Sequence, residues 1–177
     1  MVVLRLLDGP EYERWRRAAD SSLTTARLTA EHGQHHHACL HAEQAAQLAI
    51  KGLLRGAGAG AGVRGHDLSA LAGAVVQAAG SRLPEEAPQA LGRLARHYLP
   101  SRYPDALPGG APSDHYTAAD SAQALADAEL IVGFVARAWS ALEAAADQEA
   151  GSGTGRSADR EAGSGAGRSA DRETGPW

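Results

Sequence analysis

The sequence has almost no cysteine and few aromatic or β-branched residues. Cys39 is the only cysteine among 177 residues, so an internal disulfide framework and a cysteine-built zinc site are both excluded. Phenylalanine occurs once, whereas alanine is abundant, a composition that favours helices and supplies little material for strands. We therefore expect an all-α protein, and the cysteine content fits a reducing compartment.

Long apolar runs and an excess of positive charge are also absent from the sequence. The formal net charge is −4, so no global positive field draws the chain to nucleic acid or anionic lipid. No window approaches the roughly twenty uninterrupted apolar residues that a membrane span needs. The N-terminal segment MVVLRLLDGPEYERW is unlike a signal peptide. These features predict a cytoplasmic protein that has no membrane partner.

Capping residues and apolar periodicity predict five helices. Asp8 and Asp67 are typical N-caps, and Thr117-Ala118-Ala119-Asp120 has the pattern of a capping box. The second helix carries apolar residues on several sides, which is typical of a helix at the centre of a bundle. The predicted helices lie approximately at residues 8–33, 34–55, 67–80, 84–98 and 117–142.

Two segments rich in glycine or proline separate these helices. Residues 56–62, GAGAGAG, cannot sustain a helix because each glycine costs about 1 kcal/mol relative to alanine, so we expect a flexible connector. Residues 100–116 contain four prolines and two glycines, which predict a loop without regular structure.

The composition changes near the C-terminus. Residues 149–160, EAGSGTGRSADR, are followed directly by the nearly identical EAGSGAGRSADR at residues 161–172. A polar, glycine-rich unit of this length buries too little apolar surface to offset the entropy of ordering it. We therefore predict a helical bundle domain over residues 1–146 and a disordered tail with a twelve-residue tandem repeat over residues 147–177.

Three segments share a pattern with one known family. They are the run CLHAEQAAQLAIKGLL at residues 39–54, the helix start His66-Asp67-Leu68, and residues 98–106, which include Arg102-Tyr103-Pro104-Asp105. In order and spacing, these segments resemble the HEPN domain family, named for nucleotide binding in higher eukaryotes and prokaryotes, over residues 12–142. Leu40 and Glu43 depart from the Phe and Gln that are common in the family run.

The resemblance implies a compact bundle of four or five helices that forms a homodimer. It also implies a frequent association with minimal nucleotidyltransferases, in some cases as toxin–antitoxin pairs. Some HEPN proteins are metal-independent ribonucleases, whereas others bind nucleotides or act as non-catalytic partners. Membership of the family therefore does not decide between an enzyme and a binding module.

The segment Arg102-Tyr103-Pro104-Asp105 is the leading candidate for a ligand site. Arg102 can grip a phosphate with two hydrogen bonds, Tyr103 offers a flat face to a base, and Pro104 makes the turn rigid. A structural role is the alternative. In that case Arg102 pairs with Asp105, Asp67 or a helix C-terminus, and Tyr103 plugs one end of the bundle.

Three further residues complete the candidate ligand-binding set. Gln44 and Lys51 lie seven residues apart and therefore share one face of the second helix, where they line a polar groove. Alternatively, Lys51 extends past alanines to water and Gln44 bonds across the bundle. His66 is oriented by the neighbouring Asp67 or serves only to pack the loop. The full set is Arg102, Tyr103, Asp105, Lys51, Gln44 and His66.

Catalytic and metal-binding patterns are weaker. The ribonuclease branch uses an Arg followed after four to six residues by a His, whereas Arg93 and His97 are separated by three residues. If the protein is a ribonuclease, Arg93, His97 and Arg102 are the candidates; otherwise Arg93 and His97 form a solvated helix face. Residues 32–41 hold five histidines without an evident third ligand, so we predict no metal and no cofactor.

These observations favour a non-catalytic, dimeric module that binds a nucleotide or another protein, with a minimal nucleotidyltransferase as one candidate partner. The first alternative is a toxin-like, metal-independent endoribonuclease that acts on RNA through Arg and His at the dimer interface. The second alternative is a purely structural helical scaffold.

Overall fold

The computed structural model of the protein describes residues 7–59 and 65–161, with side chains through residue 151. These residues form five α-helices and contain no strand, which confirms the predicted all-α class. None of the described helices combines the length and the hydropathy of a membrane-spanning segment. The helices are α1 (Gly9–Glu31), α2 (His35–Gly56), α3 (Leu68–Ala79), α4 (Ala87–Ala95) and α5 (Ala118–Glu161).

The predicted helix starts are confirmed at three positions. Asp8 accepts a hydrogen bond from the Glu11 amide at 3.0 Å, and Asp67 caps the first amides of α3. Before α5, the Thr117 amide donates to the Asp120 carboxylate at 2.8 Å and the Asp120 amide points back to the Thr117 hydroxyl, which forms the expected capping box.

The region around α4 differs from the prediction. Pro88 lacks an amide and fits only the first turn of a helix, so α4 begins at Ala87 rather than near residue 84. After Ala95 the chain continues in tight turns whose amides bond to carbonyls three or four residues earlier. The predicted loop at residues 100–116 contains two short 3₁₀ segments, each of which begins at a proline: Pro104–Ala106 and Pro112–Asp114.

The last helix is longer than predicted. It continues to Glu161 instead of ending near residue 142, and it includes the first copy of the repeat, residues 149–160, where a disordered tail was expected. The run of alanines at residues 144–146 has high helix propensity and favours continuation past residue 142, whereas no local feature explains the helix through the glycines of residues 151–155. The chain divides into two compact units, Met1–Ala141 and Leu142–Trp177. The predicted disorder of residues 162–177 lies outside the described residues, as do residues 60–62 of the glycine connector.

α2 is the central helix of the first unit, as its apolar residues on several sides predicted. α1 packs along it, and α3 and α4 also contact it. Its small residues allow close approach, since a Cβ added at Gly52 would lie 2.8 Å from the Trp15 Cβ. Side chains from four helices, Ile50, Val75, Leu91 and Ile131, surround one small hollow in the core.

Two aromatic rings close one end of this core. Tyr12 of α1 stacks on Trp139 of α5 with their ring centres 4.1 Å apart. Both side chains lie against Gly56, the last residue of α2, whose carbonyl accepts a hydrogen bond from the Asp8 amide at 2.8 Å. The absence of a side chain at Gly56 therefore allows the first, second and last helices to meet.

We predict that Gly56→Ala destabilises the bundle by about 1–3 kcal/mol, because the new methyl group would lie 2.6 Å from the Trp139 ring. Gly73→Ala is the matched control. Gly73 is an exposed position within α3 with nothing within 4 Å of its added Cβ, so this change should stabilise the helix by up to about 1 kcal/mol. Urea unfolding followed by circular dichroism measures both changes. Equal stability of the Gly56→Ala variant and the unmodified protein would contradict the packing described here.

Candidate functional site

One face of α2 carries three polar side chains in successive turns. Glu43, Gln47 and Lys51 recur every four residues and therefore lie above one another on the helix. Glu43 has no exposed surface and Gln47 is 6% exposed, whereas Lys51 is half-buried. Gln47 donates from Nε2 to Glu43 Oε1 at 3.0 Å and accepts from Lys51 Nζ at 3.1 Å, so the three side chains form a continuous chain of hydrogen bonds.

Two other segments cover this face of α2. His66, just before α3, places its Nδ1 3.2 Å from Gln47 Oε1, and its ring stacks on Tyr98 at 4.5 Å. Arg102, in the turns after α4, places its guanidinium 4.5 Å from the centre of the same Tyr98 ring. We call the six residues together the polar cluster: Glu43, Gln47, Lys51, His66, Tyr98 and Arg102.

Glu43 is the most perturbed group of the polar cluster. Burial raises the pKa of its carboxyl group to about 7, although the Arg102 guanidinium, the Gln47 hydrogen bond and the Lys51 charge each act in the opposite direction. Its second oxygen, Oε2, is buried and has no hydrogen-bond partner among the described residues. Near neutral pH the cluster therefore contains a buried acid whose neutral and ionised forms are both populated.

The cations of the cluster are held in a partly desolvated setting. Burial lowers the pKa of Lys51 below its usual value, while the attraction of Glu43 opposes this shift. Burial, followed by the charges of His37 and Arg102, lowers the pKa of His41 on the same helix. Lys51 and Arg102 thus act on the buried Glu43 carboxyl group, and Arg102 also acts on His41.

The structure brings three of the sequence-predicted ligand residues together in the polar cluster, namely Lys51, His66 and Arg102. Gln44 lies half-buried one residue after Glu43 and is not part of the hydrogen-bonded chain, in which Gln47 takes the place expected for a glutamine. Arg102 forms no ion pair with Asp105 or Asp67 in the described part of the chain.

The other two predicted residues lie at the surface beside the cluster. Tyr103 is 52% exposed, so it does not plug the end of the bundle, and Asp105 is exposed within the Pro104–Ala106 segment. Tyr98 lies under the Arg102 guanidinium and also stacks on His66. The Tyr103 ring, one residue after Arg102, stays available to solvent.

Sequence reasoning missed Glu43, Gln47 and Tyr98. The four-residue spacing of Glu43, Gln47 and Lys51 was a signal that the three share one helix face. The departure of Glu43 from the family's usual Gln was a second signal, because it places an ionisable group at that position. No feature of the sequence indicated that Tyr98 would contact both His66 and Arg102.

The candidate ribonuclease residues do not form one site. Arg93 makes two hydrogen bonds, of 2.8 and 2.7 Å, to the buried Asp127 of α5, and this contact raises the Arg93 pKa. Arg93 is therefore not simply part of a solvated helix face. His97 is half-buried, its pKa is lowered by burial, and it lines a cavity of about 150 Å³ together with Arg93. Arg102 belongs instead to the polar cluster.

The histidines near the start of α2 have different neighbours. His35 Nδ1 lies 3.0 Å from the Ser121 hydroxyl, while the rings of His36 and His37 lie 4.0 Å apart. No group of three or more His, Cys, Asp or Glu side chains within residues 7–59 and 65–151 is arranged to hold a metal ion.

The protein is a small helical bundle, and the segments before α3 and after α4 cover one polar face of its central helix. Domains of this class are seen in solved structures. TT1696 from Thermus thermophilus is 32% identical and superposes with a TM-score of 0.66, covering 72% of this chain and 98% of that one. ST0689, an archaeal HEPN homologue, is also 32% identical, with a TM-score of 0.58 and coverage of 71% and 94%.

The HEPN domain family matches residues 12–139 of the sequence. The chain therefore belongs to the HEPN family, and the resemblance carried by the three sequence segments is confirmed. No curated protein matches the sequence at a significant level.

We predict that Glu43→Gln changes how the stability of the fold depends on pH. The Glu43 pKa is raised from 4.5 to about 7 on folding, so the folded state binds more protons than the unfolded state between these values. Its contribution to stability is therefore complete at low pH and is lost as the pH rises through about 7.

Relative to the unmodified protein, the unfolding free energy of the Glu43→Gln variant should increase by at most about 3 kcal/mol between about pH 5 and about pH 8. Other titrating groups are common to both proteins and cancel in this difference. Urea unfolding at both pH values measures it. A difference that does not change with pH would show that the Glu43 pKa is ordinary.

Proposed function

We propose that this HEPN domain is a non-catalytic, dimeric nucleotide-binding module whose phosphate site is formed by Lys51, His66 and Arg102. The observation that carries the proposal is the convergence of these side chains, from three separate segments, around one face of α2. Elsewhere among the described residues, most of the close cation contacts are to carboxylates of the chain itself. Lys51, His66 and Arg102 form no ion pair of this kind among the described residues, so their donors are suited to an external anion.

The donors of the cluster suit a phosphate group. The Lys51 ammonium carries three N–H donors and its bond to Gln47 uses one of them. The Arg102 guanidinium carbon lies over the Tyr98 ring. A guanidinium group can give two parallel hydrogen bonds to phosphate oxygens. The exposed ring of Tyr103, adjacent in sequence, offers a surface for stacking of the base.

A homodimer and a nucleotidyltransferase partner form the second part of the proposal. They rest on the properties of the family and on one surface feature of this chain. Between α1 and α2, Arg14, Trp15, Ala18 and Leu48 line a mainly apolar hollow of about 240 Å³, the type of surface that another protein chain covers.

The alternative function is that of an endoribonuclease. Its support is the cavity that contains His97, a base with a lowered pKa, beside Arg93 and Arg96. The bidentate bond from Arg93 to Asp127 weighs against it, because an arginine neutralised by a buried carboxylate is a poor partner for a phosphorane.

We expect the protein to bind adenosine triphosphate and to lose at least about tenfold in affinity in Arg102→Ala and in Lys51→Ala, since each change removes a charged hydrogen bond to phosphate. Isothermal titration calorimetry measures the affinities. Arg17→Ala is the matched control, because Arg17 is an exposed cation on α1 outside the cluster, and this variant should bind like the unmodified protein.

Absence of binding, or equal affinity in all four proteins, would contradict the nucleotide part of the proposal. Light scattering on the same samples tests the dimer, and a monomer at tens of micromolar would contradict that part.

The same preparation should leave RNA intact during a prolonged incubation, because Arg93, which shares the cavity of His97, is neutralised by the buried Asp127. Gel electrophoresis of total RNA measures this. RNA cleavage that is lost in His97→Ala would reject the non-catalytic function in favour of the endoribonuclease.

A further inference from the structure

Glu43 is an unusual neighbour for an anion site. It has no exposed surface, one of its oxygens accepts from Gln47, and the other oxygen has no partner among the described residues. The charges that stabilise its ionised form are those of Arg102 and Lys51. The proposed phosphate site and the buried carboxylate therefore depend on the same two cations.

We infer that the site couples anion binding to protonation of Glu43, so that each anion enters together with a proton taken up from solvent. The inference rests on the proposed anion-binding function of the polar cluster. An anion bound by Lys51 and Arg102 uses their charge and brings negative charge close to Glu43. Water cannot compensate the ionised carboxylate, because Glu43 has no exposed surface.

Protonation of Glu43 on anion binding balances in atoms and in charge. A proton from solvent bonds to a carboxylate oxygen of Glu43, with Oε2 the oxygen that lacks a partner among the described residues, and no covalent bond is broken. The added proton offsets one unit of the charge that the anion brings. A pKa of about 7 in the free protein supports this step, because near neutral pH a modest change in the local field then alters the protonation of the group.

Several other groups face Glu43 and its cations. Lys51 and Gln47 lie on α2, His66 precedes α3, and Tyr98 and Arg102 follow α4. His41 of α2 interacts with Arg102. Arginine stays charged throughout, whereas a protonated histidine favours an anion just as a protonated Glu43 does, so His66 and His41 need variants of their own.

The direction of the pH dependence follows from the thermodynamic linkage between anion binding and proton binding. If the bound anion raises the pKa of Glu43 further, the affinity for the anion is highest at pH values below the Glu43 pKa of the free protein. The affinity then falls as the pH rises from that pKa to the higher Glu43 pKa of the complex. Glu43→Gln has a neutral side chain at every pH and so resembles the protonated form. It should bind tightly at all pH values.

Calorimetric titration with sulfate tests the inference, because sulfate does not change its charge in this pH range. We expect the unmodified protein to bind sulfate about tenfold more tightly at about pH 6 than at about pH 8.5, a change that corresponds to about one unit of pKa. Near neutral pH, buffers with different ionisation enthalpies should report proton uptake on binding.

Three variants distinguish protonation of Glu43 from protonation of the histidines as the source of the pH dependence. Glu43→Gln should lose both the pH dependence and the proton uptake, and at about pH 8.5 it should bind sulfate about tenfold more tightly than the unmodified protein. His66→Asn and His41→Asn should keep the pH dependence and the proton uptake, whatever their absolute affinity. Proton uptake in these proteins tests the inference even if Glu43→Gln fails to fold.

Two failures are distinguishable. If neither sulfate nor adenosine triphosphate binds, the proposed function fails and the coupling fails with it. If both bind, but the pH dependence persists in Glu43→Gln or disappears in either histidine variant, the coupling to Glu43 is overturned while the anion site remains.

Discussion

Burial of the Glu43 carboxyl group is the constraint on which the site depends. An ionised carboxylate without water costs several kcal/mol unless cations and hydrogen-bond donors compensate it. Gln47 supplies one hydrogen bond, and Lys51 and Arg102 supply charge from two different segments. Because this compensation is incomplete, the pKa of Glu43 rises to about 7, and the acid responds to any further charge placed beside it.

The packing of α2 explains why a polar face can exist at the centre of the bundle. Alanines on its remaining sides, including Ala38, Ala42 and Ala49, allow the neighbouring helices to approach closely. The face with Glu43, Gln47 and Lys51 is covered instead by the segments that hold His66 and Arg102. The small residues thus build the core and leave the cluster in a partly desolvated groove, where charge interactions are stronger than in water.

Local signals in the sequence were sufficient for much of the fold. The caps at Asp8, Asp67 and Thr117 act through hydrogen bonds within one turn, and such contacts can be deduced from neighbouring residues. The beginning of α4 and the end of α5 were misjudged. Pro88 moved the first boundary inward, and the helix propensity of the alanines after Leu142 moved the second outward.

The candidate site was less predictable, because it depends on helix rotation and on long-range contacts. Lys51, His66 and Arg102 were identified through the family pattern. To predict that Gln47 rather than Gln44 bonds to Lys51, the rotation of α2 in the bundle must be known. To predict that Tyr98 rather than Tyr103 contacts Arg102, the path of the turns after α4 must be known. Glu43 is fully buried, and no local pattern in the sequence encodes this burial.

A nuclear magnetic resonance titration of the Glu43 side-chain carboxyl carbon in the free protein tests the central claim most directly. The account predicts that this carbon titrates with a pKa of about 7, and with a higher value when sulfate is bound. Titration of Glu43 near the ordinary glutamate value of 4.5 would show that the carboxyl group is solvated and would contradict the account.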